Sequence, residues 1–128
     1  MMTEAEALKT LAREEPAVAD DVRAALHSLT SGGGLGAISL LRLQEFLWCA
    51  LPAGTRQPAE THLAVARALA RLFTLAGMER YAEVCTSEQT LRVIGAYAGS
   101  RAEGVAAYSR ALNASHAAPP DTDLLAWS

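Results

Sequence analysis

The chain has 128 residues, a formal net charge of −3 at pH 7 and 51% hydrophobic residues. A chain of this length can bury roughly two-thirds of its unfolded surface in a single domain, so it needs neither a disulfide nor a metal to fold. Its acidic balance argues against the basic field that binding to nucleic acid or to an anionic membrane requires. We therefore expect no membrane partner, and nucleic acid is the least favoured of the candidate ligands.

Alanine and leucine far outnumber the β-branched residues valine and isoleucine, and no segment alternates apolar and polar residues over the length of a strand. Alanine and leucine are strong helix formers. The composition therefore predicts an all-α fold, a compact bundle of six to seven short-to-medium helices joined by short loops. We expect one helical domain over residues 1–118, with an N-terminal half at 1–52 and a C-terminal half at 58–113.

Proline, glycine and capping residues predict the boundaries of the helices. Pro16, Gly77 and Gly99 each end one helix and precede the next. The glycine-rich run at 32–36 and the segment Pro52–Pro58 predict loops. Three Ser/Thr-x-x-Glu/Gln patterns predict capping boxes at Thr3–Glu6, Thr86–Gln89 and Ser100–Glu103. The expected helices span residues 3–14, 17–30, 37–51, 59–76, 78–85, 87–98 and 101–113.

Helical spacing also predicts the buried face of each helix. The third helix is the most apolar and is expected near the centre, with Phe46 and Leu47 inside. The inward positions of the last two helices are expected to be Leu91, Ile94, Tyr97, Ala98, Val105, Tyr108 and Leu112. Gly95 and Gly104 lie inside these helices, where a glycine costs about 1 kcal/mol relative to alanine. Close contact between the two helices would offset that cost.

Two features are candidates for partner binding. Trp48 follows Gln44 by four residues and therefore borders the polar side of its helix. It is either a rim aromatic at a partner surface or, as the alternative, part of the core. Arg67 and Arg71 lie one turn apart opposite the buried stripe of their helix, and two arginines with this spacing can hold a carboxylate or a phosphate. The alternative for this pair is a solvated face without a ligand.

Cys49, His62 and Cys85 are the candidates for a pocket. No pair of cysteines and histidines has the spacing of metal ligands, such as C-x-x-C or H-E-x-x-H, so we predict no metal site and no cofactor. A Cys–His nucleophilic pair would need a spatial adjacency that the spacing does not show, and no catalytic residue is predicted. The structural alternatives are a core thiol for Cys85 and a hydrogen-bonded, partly buried imidazole for His62.

The end of the chain has a different character from the helices. Residues 119–128 begin with two prolines, continue with acidic residues and end with apolar ones. They predict a spacer followed by an apolar tail, with Leu124, Leu125 and Trp127 as contact residues. The tail either folds back on the bundle, docks on a partner chain, or begins a helix that continues beyond the last residue.

The cellular setting is inferred from composition alone. Two cysteines can form one bridge at most, and a core of this size does not need it, so we expect reduced thiols in the cytoplasm. The N-terminal segment is charged and lacks the apolar stretch of a signal peptide. Arginine almost completely replaces lysine, which indicates a GC-rich coding background and hence a bacterial source.

The sequence leaves three functions open. It favours a protein-interaction or regulatory module without catalytic activity, whose partner is another protein or a second copy of the chain. The alternative is a small-molecule-binding or catalytic protein with a pocket near Trp48, Cys49 and His62. The third is a nucleic-acid binder of helix-turn-helix type formed by the helices at 78–85 and 87–98, in which Arg92 is the only basic residue of the would-be recognition helix.

Overall fold

The computed structural model describes residues 2–54 and 58–114, and within these ranges it contains helices and no strand. The all-α prediction is confirmed. The α-helices are α1 (Glu4–Glu14), α2 (Pro16–Thr30), α3 (Leu40–Glu45), α4 (Leu51–Gly54), α5 (Ala59–Leu75), α6 (Glu79–Cys85), α7 (Glu88–Gly99) and α8 (Arg101–Ala114), with a 3₁₀ turn at Leu35–Ala37 and a π-helical turn at Phe46–Ala50. Because α3, the π turn and α4 follow one another without a break, they form one continuous rod.

The helix caps show which local predictions hold. Thr3 and Glu6 form the expected capping box, with reciprocal hydrogen bonds of 3.2 Å. The Ser100 hydroxyl caps α8 by accepting the backbone N–H of Glu103 at 3.0 Å. The capping box predicted at Thr86 is wrong, because Ser87 is the N-cap of α7. Its hydroxyl accepts a hydrogen bond from the backbone N–H three residues later, at position 90, so α7 starts one residue later than expected.

Gly77 ends α5 as expected and turns the chain into α6. Its φ of 77° lies in the left-handed region that favours glycine. The backbone N–H of Met78 donates to the Phe73 carbonyl at 2.7 Å, and that of Gly77 donates to the Thr74 carbonyl at 3.1 Å. These two bonds are those of a Schellman motif, which satisfies carbonyls that the helix end leaves free.

The expected end of the third helix at residue 51 is wrong, because the rod continues through Pro52 to Gly54. The reason is the π turn, which no sequence signal predicted. The backbone N–H of Leu51 donates to the Phe46 carbonyl, five residues earlier. The extra residue displaces the carbonyls that a proline ring would meet in a regular α-helix, so Pro52 can follow the wider turn.

Helix α5 is the centre of the packing. It contacts α1, α2, α4, α6 and α7. Its own buried residues are His62, Val65, Ala66, Ala68, Leu69, Leu72 and Phe73. The Phe73 and Tyr81 rings meet edge to face with centroids 5.6 Å apart, which ties α6 to this core. One hydrophobic cluster thus joins residues of both predicted halves.

The predicted inner faces of α7 and α8 are partly wrong. Leu91 is 45% exposed and Val105 is 46% exposed, although both were expected inside. The residues that α7 and α8 bury are instead Thr90, Val93, Ile94, Gly104, Ala107 and Ala111. The close contact between the two helices is present, since a Cβ added at Gly104 would overlap the Tyr97 ring. Gly95 has open space beside it, so packing does not require glycine there.

Candidate functional site

A surface cavity of about 430 Å³ lies where the C-terminal end of α2 faces the start of the rod. Its walls come from α2, from α3 with the π turn, and from α8. The lining residues are Ser28, Leu29, Ser31, Arg42, Glu45, Phe46, Cys49, Ala50 and Tyr108. The two walls pack on different neighbours: α2 packs chiefly on α1 and α5, and the π turn, outside its own rod, packs on α7 and α8.

A second cavity of about 220 Å³ continues the first along α2. Ser28, Phe46 and Ala50 line both cavities. The remaining residues of the second cavity are Asp21, Ala24, Ala25, Leu51 and Val65. We call the two cavities together the α2 groove. Along α2 the groove runs from Asp21 to Ser31, and ten helical residues span about 15 Å.

The π turn forms one wall of this groove. Phe46, Cys49 and Ala50 belong to the turn and line the larger cavity. A π turn widens a helix locally and is frequent at functional sites. Here it brings an aromatic ring and a thiol to the groove, whereas Leu47 and Trp48 of the same turn are buried in the core. Spacing at 3.6 residues per turn correctly predicted Leu47 inside, but it also placed Phe46 there and left the position of Trp48 open.

Arg42 places a positive charge at the end of the larger cavity. Its guanidinium Nη1 donates to the Leu29 carbonyl at 3.4 Å and to the Ser31 hydroxyl at 3.2 Å. The carbonyls at the C-terminal end of α2 carry partial negative charge, so the cation is favourable there. The ion pairs among the described residues do not include Arg42 or Glu45. Among the described residues, neither charge is neutralised by an ion pair.

Two tyrosines lie close to Cys49. Burial, followed by the proximity of Cys49 and Glu45, raises the pKa of Tyr108 above its usual value. Burial and the neighbouring Cys49 also raise the pKa of Tyr97. The Tyr97 hydroxyl oxygen is buried and makes no well-formed hydrogen bond within residues 2–54 and 58–114. Both phenols are therefore neutral at pH 7, where they can donate hydrogen bonds but cannot act as bases.

Trp48 is not a rim aromatic. It is only 1% exposed, and its indole N–H donates to the Thr90 hydroxyl at 2.8 Å. Thr90 in turn donates to the Val84 carbonyl and accepts from the Ser87 hydroxyl. The core alternative therefore describes Trp48 in this structure, and its side chain does not reach the groove.

The two arginines of α5 are exposed but do not act as a pair. The Arg71 guanidinium donates two hydrogen bonds to the Glu14 carboxylate, at 3.1 and 3.2 Å. This contact links α5 to α1 and lowers the pKa of Glu14. Arg67 lies on the same exposed face without lining either cavity of the α2 groove. The spacing of the two arginines predicted that they could hold the carboxylate of a ligand. In the folded chain, Arg71 instead binds the carboxylate of Glu14.

The three pocket candidates are placed in different environments. Cys85 is fully buried, and this burial raises the pKa of its thiol strongly. His62 is 3% exposed, and desolvation lowers its pKa. Of the three, only Cys49 lines the α2 groove, and neither Trp48 nor His62 is among its lining residues. Both cysteines are free.

Other candidate features are outside this groove or outside the described residues. Within the described part of the chain, no group of three or more His, Cys, Asp or Glu side chains could hold a metal ion. No described helix is both long and apolar enough to cross a bilayer. In the predicted recognition helix, Arg92 is paired with Glu88 at 2.7 Å. Leu124, Leu125 and Trp127 lie outside the described residues.

Comparison with known proteins adds no functional label. No family model matches the chain, and neither a curated protein nor a solved structure matches it significantly. A functional hypothesis must therefore come from the geometry and chemistry of the α2 groove.

Proposed function

We propose that this chain is a protein-interaction module without catalytic activity, and that its α2 groove binds one face of an amphipathic helix of a protein partner. The observation that carries the proposal is the groove itself, about 15 Å long and built on a π turn. A helix of about three turns has this length. Helix-in-groove binding places apolar side chains three and four residues apart into such a surface.

The lining supports this kind of ligand. Phe46 and Ala50 supply apolar surface shared by both cavities, with Phe46 partly buried and Ala50 exposed at the rim. Asp21 lies at one end of the groove, and Arg42 lies at the other. The best complement is therefore a helix that has apolar anchors on one face, a basic residue near Asp21 and an acidic residue near Arg42.

The test begins with a displayed library of amphipathic helical peptides selected against the intact protein. Ala50 and Ser28 line both cavities and are exposed, so Ala50→Trp or Ser28→Trp fills the groove from its rim. We expect either change to weaken binding of the selected peptides at least about tenfold, or about 1.4 kcal/mol. The matched control is Ala106→Trp, because Ala106 is exposed on α8 and lines neither cavity.

Fluorescence polarisation of labelled peptide gives the dissociation constants, and thermal unfolding shows whether each variant is folded. Equal affinity for the wild type and Ala50→Trp would contradict the proposal. A library selection that returns no binder for either the intact protein or a variant with serine at Leu124, Leu125 and Trp127 would also contradict it.

A small-molecule-binding function is the second candidate. The larger cavity, at about 430 Å³, lies within the range of about 300–1,000 Å³ that is usual for ligand pockets. Native mass spectrometry of the purified protein separates the two proposals. A bound metabolite that is lost in the Ala50→Trp variant would favour the small-molecule function.

We also propose a cytoplasmic location and a bacterial source. Free Cys49 and Cys85 support the first of these, because reduced thiols are typical of the cytosol. The excess of arginine over lysine supports the second. Self-association is part of the proposal, because the protein partner that supplies the amphipathic helix can be a second copy of the chain.

A further inference from the structure

We propose that the C-terminal segment of this same chain, residues 121–128, occupies the α2 groove and competes with partners for it. This inference rests on the proposed function of the groove. The segment lies outside the described residues, so its sequence and the geometry of the groove carry the inference. The apolar match, the charge match and the reach of the chain each support it.

The apolar match comes from three side chains near the end of the sequence. Leu124 and Trp127 are three residues apart, a spacing that would place them on one face of a helical turn, and Leu125 would widen that face. The apolar residues that would receive them are Leu29, Phe46, Ala50, Leu51 and Val65. Exposed apolar clusters of this kind are usually covered by a contact.

The charge match sets the direction of the segment. Asp121 and Asp123 precede the apolar residues in the sequence. Arg42, at the end of the larger cavity, has no acidic partner among the ion pairs of the described residues. Arg42 is the one basic residue that lines the two cavities, and Glu45 and Asp21 are the acidic ones. The two aspartates therefore fit the Arg42 guanidinium, and the apolar side chains then extend along the groove toward Val65. The opposite direction would bring them to Asp21, where like charges repel.

The reach of the chain permits this contact within one molecule. Tyr108 lines the larger cavity, and Ala114, at the end of α8, lies six residues further on, or about 9 Å along the helix. The far end of the groove is therefore within about 25 Å of Ala114. Leu124 follows Ala114 by ten positions, and an extended chain over ten such steps spans about 33 Å.

Cys49 provides the readout, because it lines the larger cavity and is only partly buried. The experiment measures the rate at which N-ethylmaleimide modifies Cys49 in the intact protein, followed by mass spectrometry. The triple variant Leu124→Ser, Leu125→Ser, Trp127→Ser removes the apolar side chains and leaves the net charge unchanged. If the segment covers the groove, Cys49 in this variant should be modified at least tenfold faster than in the wild type. Cys85 is the internal control, since it is fully buried and should remain unmodified in every folded variant.

Val105→Ser is the matched control, because it removes an exposed apolar side chain from a surface that does not line the groove. Its Cys49 rate should equal that of the wild type. A milder variant, Asp121→Asn with Asp123→Asn, should raise the rate about threefold at low salt and less at high salt. If the protection of Cys49 from N-ethylmaleimide does not depend on protein concentration, each chain covers its own groove. If this protection grows with concentration, the segment of a second copy covers the groove. Both results support the same occupant.

Equal rates in the wild type and the triple variant would overturn the inference, and so would an equal increase in Val105→Ser. The selected helical peptides then separate the two proposals. If they still bind the wild type and lose affinity in Ala50→Trp, the groove function stands and only the occupant is wrong. If the triple variant exposes Cys49 while Ala50→Trp leaves peptide binding unchanged, the partner-binding function is wrong instead.

Discussion

At the scale of single residues, the Thr90 hydroxyl joins three parts of the fold. It accepts the Trp48 indole N–H, accepts the Ser87 hydroxyl and donates to the Val84 carbonyl. Thr90 is fully buried, so water cannot replace these partners. This one side chain therefore connects the π turn to the end of α6 and the start of α7.

We predict that Thr90→Val lowers the free energy of unfolding by about 1–3 kcal/mol, because it leaves the Trp48 N–H buried without an acceptor. Denaturant titration, followed by circular dichroism, measures the change. Thr74→Val is the control, since Thr74 is an exposed helical threonine whose hydroxyl bonds the Ala70 carbonyl. The control should change stability by no more than about 0.5 kcal/mol. Equal effects in the two variants would rule out the buried bond as the cause.

His62 makes stability depend on pH. Desolvation lowers its pKa below 6.5 in the folded state, so the unfolded chain binds a proton more readily. The stability associated with neutral His62 is present above about pH 6.5 and is lost as the pH falls toward the folded-state pKa. The slope from one such group is at most about 1.4 kcal/mol per pH unit.

Urea titrations across this pH range give the free energy of unfolding at each pH. This free energy should depend less on pH in His62→Gln than in the wild type. His27→Gln is the matched control, because His27 is exposed on α2, and it should leave the dependence unchanged. If the profiles of His62→Gln and the wild type coincide, another group causes the acid sensitivity.

At the scale of elements, two glycines inside neighbouring helices have opposite structural roles. Gly104 faces the Tyr97 ring across the α7–α8 contact, whereas Gly95 faces open space on α7. The small side chains at Gly104, Ala107 and Ala111 allow α8 to pack closely on its neighbours. The face of α8 that contains Gly104 therefore lies close to α7, whereas Gly95 of α7 does not take part in this close contact.

We predict that Gly104→Ala destabilises the protein by about 1–3 kcal/mol, because the added methyl group displaces the Tyr97 ring. Gly95→Ala should instead stabilise it by about 0.5–1 kcal/mol, since alanine loses less backbone entropy in a helix. Thermal unfolding of the two variants measures the difference in sign. Stabilisation by both substitutions would mean that α7 and α8 do not approach as closely as the structure indicates.

At the scale of the whole molecule, α5 joins the two predicted halves. It contacts α1 and α2 on one side and α6 and α7 on the other. The backbone N–H of Met2 also donates to the Leu75 carbonyl at 2.9 Å, which attaches the start of the chain to the end of α5. Buried residues of α1, α2, α5, α6, α7 and α8 belong to one hydrophobic cluster.

We therefore predict one cooperative unfolding transition. In a Trp127→Phe variant, Trp48 fluorescence reports on the buried π turn, and far-ultraviolet circular dichroism reports on all helices. Both signals should give the same denaturant midpoint. Two transitions, with the 1–52 half unfolding separately from the 58–113 half, would contradict this prediction.

The sequence by itself determined the helices and several of their ends. Thr3, Gly77 and Ser100 act through hydrogen bonds and dihedral preferences within a few residues, so their effects can be read locally. The burial of Cys85 and His62 also follows from helical spacing within one element. These features need no knowledge of distant parts of the chain.

Only the tertiary structure decided the rotation of α7, the place of Trp48 and the existence of the α2 groove. Trp48 and Thr90 are 42 residues apart, and their hydrogen bond places a polar residue inside and leaves Leu91 exposed. The groove forms where α2 and the π turn pack on different neighbours. These features depend on contacts between distant segments, whereas periodicity describes each helix alone.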